Sequence, residues 1–291
     1  ANAWTWGFTD YNTLGLFGMP KGGQTLEEVK DLLLDQMAAL RRGEFEDWLP
    51  EAVTKNFKLQ QQTVLPSNQG SVQVLTSYFL QGYNWEDYLS TVDWLEQISK
   101  DDIVAFAQRH LGEPHAIVYK RTGEDHGIVR VSQPPITPVP IQNDRYSDFG
   151  KAFLAQEESR MNPVFVNFEA HIQGEILDSE ISFKLVQNPV NDIFSLEFVF
   201  ELGKKHDPKL QLAGRYLEYL GTQKMSATRI AQEFFKLGLG FDLQVDAERS
   251  SVTLYGLEES LEQGLELLQQ VLFELKPDRK TWENLVSDIL T

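Results

Sequence analysis

Hydrophobic and polar positions alternate, cluster and space themselves differently along this 291-residue chain, and each change of period predicts an element. Leu14-Gly15-Leu16-Phe17-Gly18-Met19 reads as a strand, ended by Pro20 and Gly22-Gly23. Thr25 and Glu28 have the spacing of a capping box, and Val29, Leu32, Leu33, Met37 and Leu40 recur at helical intervals to about Arg42. A second helix is predicted from about Glu46 to Gln62, with Pro50 in its first turn. A third follows the Pro66-Ser67 break, carries Val72, Val74, Leu75, Tyr78 and Phe79, and stops near Gly82. Asn84 leads into a helical stretch from Tyr88 to Ile98, and Ser99-Lys100-Asp101-Asp102 reads as the cap of a helix ending at Gly112. Ala116-Ile117-Val118-Tyr119, within His115 to Arg121, reads as a strand. Ala1-Asn2-Ala3 is set aside as extraneous to the fold.

Pro134, Pro135, Pro138 and Pro140 interrupt this pattern; clustered prolines hold the backbone extended and mark a linker between domains. The crossing continues through a helix-like piece, Phe149 to Arg160, whose Phe149, Phe153 and Leu154, with Tyr146, are expected to rest on an apolar surface. Beyond about Phe168 the pattern resumes. Ile181 to Val186 is a strand, Asn188-Pro189 a turn, and Phe194 to Leu202 a half-buried strand in which Phe194, Leu196, Phe198 and Phe200 alternate with Ser195, Glu197 and Val199. A short helix around Arg215 follows. Ser226 opens another with Ile230, Phe234 and Leu237, ended by Gly238. Phe241 to Val245 and Ser251 to Tyr255 form a hairpin around Asp246 to Arg249. A long helix then carries Leu257, Leu261, Leu265, Leu268, Leu272 and Leu275 as far as Pro277. The chain ends inside a further helix, Arg279 to Leu290, with no cap to close it, which points to a segment of a longer protein.

The fold class is therefore α+β: two layered domains, each a mainly antiparallel sheet packed with helices. The predicted division is 1–131, a linker at 132–168, and 169–291. A hydrophobic content of 42% supports folded structure over disorder. Charge narrows the partners. With 43 acidic against 26 basic side chains the net charge is −17, which repels nucleic acid and anionic membrane; it reads first as a soluble acidic surface, although the same field would attract basic peptides. No apolar run approaches the length of a membrane span, and the N-terminal residues lack the charged and apolar regions of a signal peptide. Without cysteine, disulfides, thiolate zinc sites and thiol catalysis are excluded.

Candidate chemistry centres on Leu212 to Thr222. Asp207-Pro208 opens this helix and Gly221 closes it; Leu210, Ala213, Leu217 and Leu220 make one apolar face. The stretch Arg215-Tyr216-Leu217-Glu218-Tyr219 has the outline of H-x-x-E-H, with Arg215 and Tyr219 where the histidines stand. That motif works because residues four apart on a helix share a face, so two imidazoles grip one Zn²⁺ while the glutamate polarises its water. A guanidinium and a phenol are not zinc ligands of that kind, and taken alone an Arg and a Glu three apart make an ordinary helical ion pair.

The order strand, turn, strand, motif-like helix, glycine-ended helix, hairpin and leucine-rich helix, over Ile181 to Leu290, resembles the insulinase and pitrilysin family of zinc metallopeptidases. The resemblance includes Asn188-Pro189, Leu202-Gly203, Leu217-Glu218, Gly221-Thr222 and Phe234 to Phe241 around Lys236-Leu237-Gly238; Leu14 to Gly123 is similar to the family's companion domain, entered partway. It implies related domains in two halves, joined by a linker and closing around a peptide, with the metal motif often kept in only one half. Arg215 then stands at the first His position, Glu218 at the catalytic Glu and Tyr219 at the second His, while the third ligand, a downstream Glu, falls around or beyond the last helix. No catalytic, metal-ligating or cofactor-binding residue is assigned, and zinc is expected only in the active half of the parent.

The function so implied is a non-catalytic segment that shapes a peptidase chamber and holds a peptide or protein substrate, partnered by the other half of its parent chain. The alternatives are a structural or assembly subunit without peptidase activity, or an unrelated acidic binding domain. Bacterial members of that family are often exported, although no residue here assigns a compartment. Other groups read as structural. His206-Asp207 suits a turn and helix entry, His110, His115, His126 and His171 lack ligand spacing, and Glu124-Asp125-His126 suits a solvated loop better than a weak metal site. Trp48, Trp85 and Trp94 are read as core or interface residues. Serine-hydrolase and P-loop signatures are absent.

Overall fold

The computed structural model describes residues 1–123, 127, 132, 134–141, 143, 145–157, 162–177 and 181–290. Contacts group residues 1–116 with 188–291 in one unit and leave 117–187 as a second.

In the larger unit, β1 (Asn2–Gly7) and β2 (Asn12–Phe17) pair antiparallel from Asn2 against Phe17 to Gly7 against Asn12. Asn2 and Ala3, set aside in the sequence, are thus part of a ladder; β2 alone offers no partner in its own pattern, so its hairpin mate passes unnoticed. Next come α1 (Leu26–Arg42), α2 (Leu49–Val64) and α3 (Asn68–Gln81). The capping box at Thr25 and Glu28 forms, with each residue's side chain accepting from the other's backbone N–H. Gly43 and Gly82 end α1 and α3 in the left-handed conformation.

Tyr88 to Ile98 is not one helix but two short ones, α4 (Trp85–Leu89) and α5 (Thr91–Leu95). Asn84 and Asp87 cap the first, and the break falls at Ser90. Trp85 leans on the buried Tyr88, but Trp94 is 61% exposed, so it is no core residue. The cap predicted at Ser99 and Asp102 opens α6 (Lys100–His110).

The C-terminal part contributes β5 (Ile193–Phe200), α9 (Lys209–Leu217), β6 (Gly221–Thr222), α10 (Ala227–Leu237), β7 (Leu239–Val245), β8 (Ser250–Leu257), α11 (Leu261–Phe273), β9 (Leu275–Lys276) and α12 (Arg279–Leu290). The predicted hairpin is β7–β8, and β8 is the central strand of an all-antiparallel sheet in the order β5-β8-β7. Val252 and Leu254, two apart on β8, lie on one face and join Ile230 and Phe234 of α10 and Leu267, Leu268 and Val271 of α11 in the main core. Full burial of a leucine such as Leu254 is worth about 1.5–3 kcal/mol.

Two leucines of the expected long helix stand outside it. Leu257 ends β8, because its main chain is committed to pairing with Ile193. Leu275 is drawn out by pairing with Thr222. Leucine spacing alone does not separate a helix from a strand that enters or leaves it at the same apolar wall.

The N-terminal helices join this sheet layer through α2. Asn56 Nδ2 donates to the carbonyl of Phe235 at 2.7 Å, and Lys236 Nζ lies 4.6 Å from the Trp48 ring centre. Ala52 is buried, and Asn191 Nδ2 donates to the Gln62 carbonyl at 2.9 Å. Trp48, the residue just before α2, is therefore an interface residue, one of the two roles expected of it, although it stands outside the helix.

In the second unit, β3 (Ile172–Leu177) and β4 (Ile181–Val186) form an antiparallel hairpin preceded by α7 (Asp148–Leu154) and α8 (Phe168–His171). The strand expected at His115 to Arg121 is not a strand; no partner among the described residues completes a ladder with it. Apolar alternation makes a strand only where a neighbour takes up its hydrogen bonds. Tyr146, Phe149, Phe153 and Leu154 are all exposed rather than seated, with Phe149 and Phe153 stacked on each other, centroids 6.4 Å apart.

Candidate functional site

The approach to the motif helix is fixed by backbone. Lys204 and Lys205 N–H donate to the carbonyls of Asp246 and Ala247 at 2.9 Å each, and Ser250 Oγ donates to the Leu202 carbonyl at 2.5 Å. Gly203 is pressed so close to this hairpin turn that a Cβ there would lie 2.6 Å from the Asp246 carbonyl oxygen. Gly203 N–H donates to His206 Nδ1 at 3.1 Å, and Lys209 N–H donates to Asp207 Oδ1 at 2.9 Å. His206 and Asp207 thus build the turn and the helix entry, the structural role their positions predict.

Helix α9 spans Lys209–Leu217, so Arg215 lies in its last turn and Glu218 and Tyr219 beyond its end. At about 100° per residue, Leu210, Gly214 and Leu217 fall on one stripe and Arg215 on the opposite side. Gly214, not Ala213, is the buried contact: Ala213 is exposed, while a Cβ on Gly214 would come 2.7 Å from Leu243 Cδ2 of β7. Glycine at this point lets the helix axis approach the strand closely.

Past Leu217 the chain tightens. Tyr219 N–H donates to the Tyr216 carbonyl and Leu220 N–H to that of Leu217, both at 3.1 Å, the three-residue spacing of a 3₁₀ turn. Leu220 is buried and Gly221–Thr222 pairs with Leu275–Lys276, which pulls the chain off the helical path. Thr222 Oγ1 accepts from the N–H groups of Lys224 and Met225 at 3.1 and 3.0 Å and locks the following turn. The alignment of positions four apart on which H-x-x-E-H depends is therefore interrupted between Arg215 and Tyr219. Arg215, Glu218 and Tyr219 all face solvent.

The donor set does not fit zinc. A guanidinium offers no lone pair, a phenol is a poor ligand for this ion, and Glu218 by itself supplies one carboxylate. Among the described residues no three of His, Asp and Glu converge in a possible metal-binding group. Glu124-Asp125-His126 lies outside the described residues. Two shallow surface hollows, about 550 Å³ lined by Lys21, Gln24, Glu28, Asp31 and Asp35, and about 310 Å³ lined by Lys58, Asp192, Glu258 and Glu259, include none of the motif positions.

Tyr216, an intervening position, reaches Asp278 with its hydroxyl and meets Trp282 edge-on, centroids 5.3 Å apart. The Asp278 carboxyl accepts from Thr281 N–H at 2.7 Å at the start of α12 and is held below the usual carboxylate range by hydrogen bonds from Thr281. Pro277-Asp278 is itself a legible helix-start signal; what the sequence does not reveal is the tyrosine 62 residues earlier that fastens to it.

No family model and no curated protein matches the chain. Solved structures do show likeness. The inactive domain of a peptidase M16 from Pseudomonas fluorescens is 19% identical over 41% of this chain and 30% of its own, with a TM-score of 0.38. The periplasmic protease PqqL from Escherichia coli is 10% identical over 90% of this chain and 32% of its own, TM-score 0.38. The ferredoxin protease FusC, solved with Arabidopsis ferredoxin, is 12% identical over 87% and 31%, TM-score 0.35. This chain thus spans less than a third of each solved chain's length. Likeness of this degree assigns no family; what stands is an α+β chain of helices and small antiparallel sheets with no helix long and apolar enough, among the described residues, to cross a membrane.

Proposed function

We propose that this chain is a non-catalytic segment of an insulinase/pitrilysin-type zinc metallopeptidase, one that walls a substrate chamber and holds extended peptide while an H-x-x-E-H site elsewhere in the parent hydrolyses it. The observation that carries the reading is the pair Arg215 and Tyr219, which stand in sequence at the two histidine positions of H-x-x-E-H and cannot ligate zinc as imidazoles do, Arg215 in the last turn of α9 and Tyr219 just past its end. Holding a peptide needs main-chain partners and little net positive charge. β5 pairs only with β8 in its sheet, and Phe198, Val199 and Phe200 near its end are exposed, which suits strand addition by an extended segment. The net charge of −17 favours basic peptides. The division into a companion domain at 1–131, a linker at 132–168 and an inactive domain at 169–291 belongs to the same proposal, as does the parent's zinc.

The test is fluorescence anisotropy of a labelled, unstructured basic peptide titrated with the chain, with mass spectrometry of the recovered peptide. Saturable, salt-sensitive binding of intact peptide is expected. Absence of binding overturns the substrate-holding role; if the parent's coding region also lacks H-x-x-E-H, the assembly-subunit reading replaces it.

A further inference from the structure

The two segments that meet at Tyr216 carry charge opposite to that of the chain as a whole. From Gly203 to Leu217 there are four cations, Lys204, Lys205, Lys209 and Arg215, against Asp207, in a chain of net charge −17. From Leu275 to Trp282 there are three, Lys276, Arg279 and Lys280, against Asp278. The Tyr216 hydroxyl, bonded to the main chain of Asp278, brings the segments together. Lys209 and Tyr216 are seven apart, which sets them two turns from each other on the same side of α9, roughly 10 Å along its axis. The side of α9 that faces the start of α12 therefore carries Lys209 as well, and Lys276 and Lys280 lie close enough to Asp278 to favour its charged form.

Acidic side chains are in excess, yet these cations are left without partners. Among the described residues Lys204, Lys209, Arg215, Lys276 and Lys280 make no ion pair, and all five are exposed. The acids inside the two stretches are turned to backbone: Asp207 accepts from Lys209 N–H and Asp278 from Thr281 N–H. The flanking Glu274 and Glu283 are taken by Lys224 and Arg279. Glu218 does not pair with Arg215, because the chain leaves the helical path after Leu217 and loses the spacing that would join them. Trp282, edge-on to Tyr216, is 38% exposed, and Tyr219 is 56% exposed; with arginine these are the side-chain types that dominate binding hot spots.

We infer that this patch docks an acidic peptide segment of a protein partner, with its carboxylates set among Lys209, Arg215, Lys276 and Lys280. Cations clustered without counter-charge raise the local potential, and bound carboxylates relieve their mutual repulsion. At physiological ionic strength the screening length is about 8 Å, so a segment lying on the patch senses these side chains and little of the carboxylates elsewhere. The same scale decides between polyanions. A nucleic acid carries its phosphates on well past the patch, where they would face acidic surface, whereas a short run of Asp and Glu fits within it. Docking of this kind does not depend on the peptidase reading.

Fluorescence anisotropy of a short labelled peptide of alternating glutamate and glycine, titrated with the 291-residue chain from physiological salt upwards, tests it. Saturable binding that weakens as salt rises is expected. Lys209→Glu and Lys276→Glu each weaken it at least about tenfold, with thermal stability little changed because both side chains are exposed and unpaired. Lys21→Glu, the same change of charge at an exposed lysine between β2 and α1, leaves the affinity within about twofold. Absence of binding, binding indifferent to both patch variants, or tighter binding of single-stranded DNA of equal charge overturns the inference.

Discussion

The hydroxyl of Tyr216 donates to the carbonyl of Asp278 at 2.7 Å and accepts from the N–H of the same residue at 2.8 Å. One side chain of the motif helix thereby satisfies both main-chain groups at the start of α12 and fastens the two helices together. Tyr216→Phe keeps the ring against Trp282 and removes both bonds. A loss of about 0.5–1.5 kcal/mol in stability is expected, with faster hydrogen exchange in α12, measured by urea unfolding and exchange mass spectrometry.

Asp278 also makes α12 sensitive to acid. Hydrogen bonds from Thr281 lower its folded-state pKa, so its contribution is fully present above the ordinary carboxylate value and is lost as pH falls through the depressed one. Asp278→Asn is therefore expected to lower stability at pH 6 and to have a shrinking effect as pH falls below about 4. Unfolding curves of both proteins across that range check the sign. A difference that grew with acidity would contradict it.

Gly214 predicts a steric result. Its hypothetical Cβ would lie 2.7 Å from Leu243 Cδ2 and 3.3 Å from Val245 Cγ2, both ends of side chains rather than backbone. Gly214→Ala is expected to be nearly tolerated, because Leu243 can shift. Gly214→Val, overpacking the same gap, is expected to cost about 1–3 kcal/mol by denaturant unfolding.

Asn56 is one polar tie between the N-terminal helices and the sheet layer, donating to the Ala52 and Phe235 carbonyls at 2.7 Å each. Asn56→Leu is expected to cost about 1 kcal/mol or more and to raise exchange at the α2–α10 contact before the β8 core opens. Uniform exchange across the unit would contradict the tie.

Elements whose signals are local were legible in the sequence. Thr25 with Glu28, Ser99 with Asp102, Ser226 before Ala227–Leu237, and Gly82 and Gly238 all act where their types predict, because caps depend on backbone within four residues. What escaped depends on distant partners. Leu275 fits a leucine-rich helix until Thr222 claims it as a strand, and Ala116 to Tyr119 reads as a strand, yet no neighbour among the described residues pairs with it. The candidate site divides the same way. Arg215 and Tyr219 show by side-chain chemistry alone that this stretch offers no histidine pair for zinc. That the helix ends at Leu217 and that Gly214 rather than Ala213 is buried are set by β7 and β9, more than 20 residues away.

The proposal that Arg215 and Tyr219 leave this stretch without metal-dependent hydrolysis is tested most directly by zinc titration of metal-stripped chain with a parallel peptide-cleavage assay. No zinc-dependent cleavage is expected, and no tight site whose affinity changes with Glu218→Gln. One zinc per chain, with cleavage that disappears in Glu218→Gln, would contradict it.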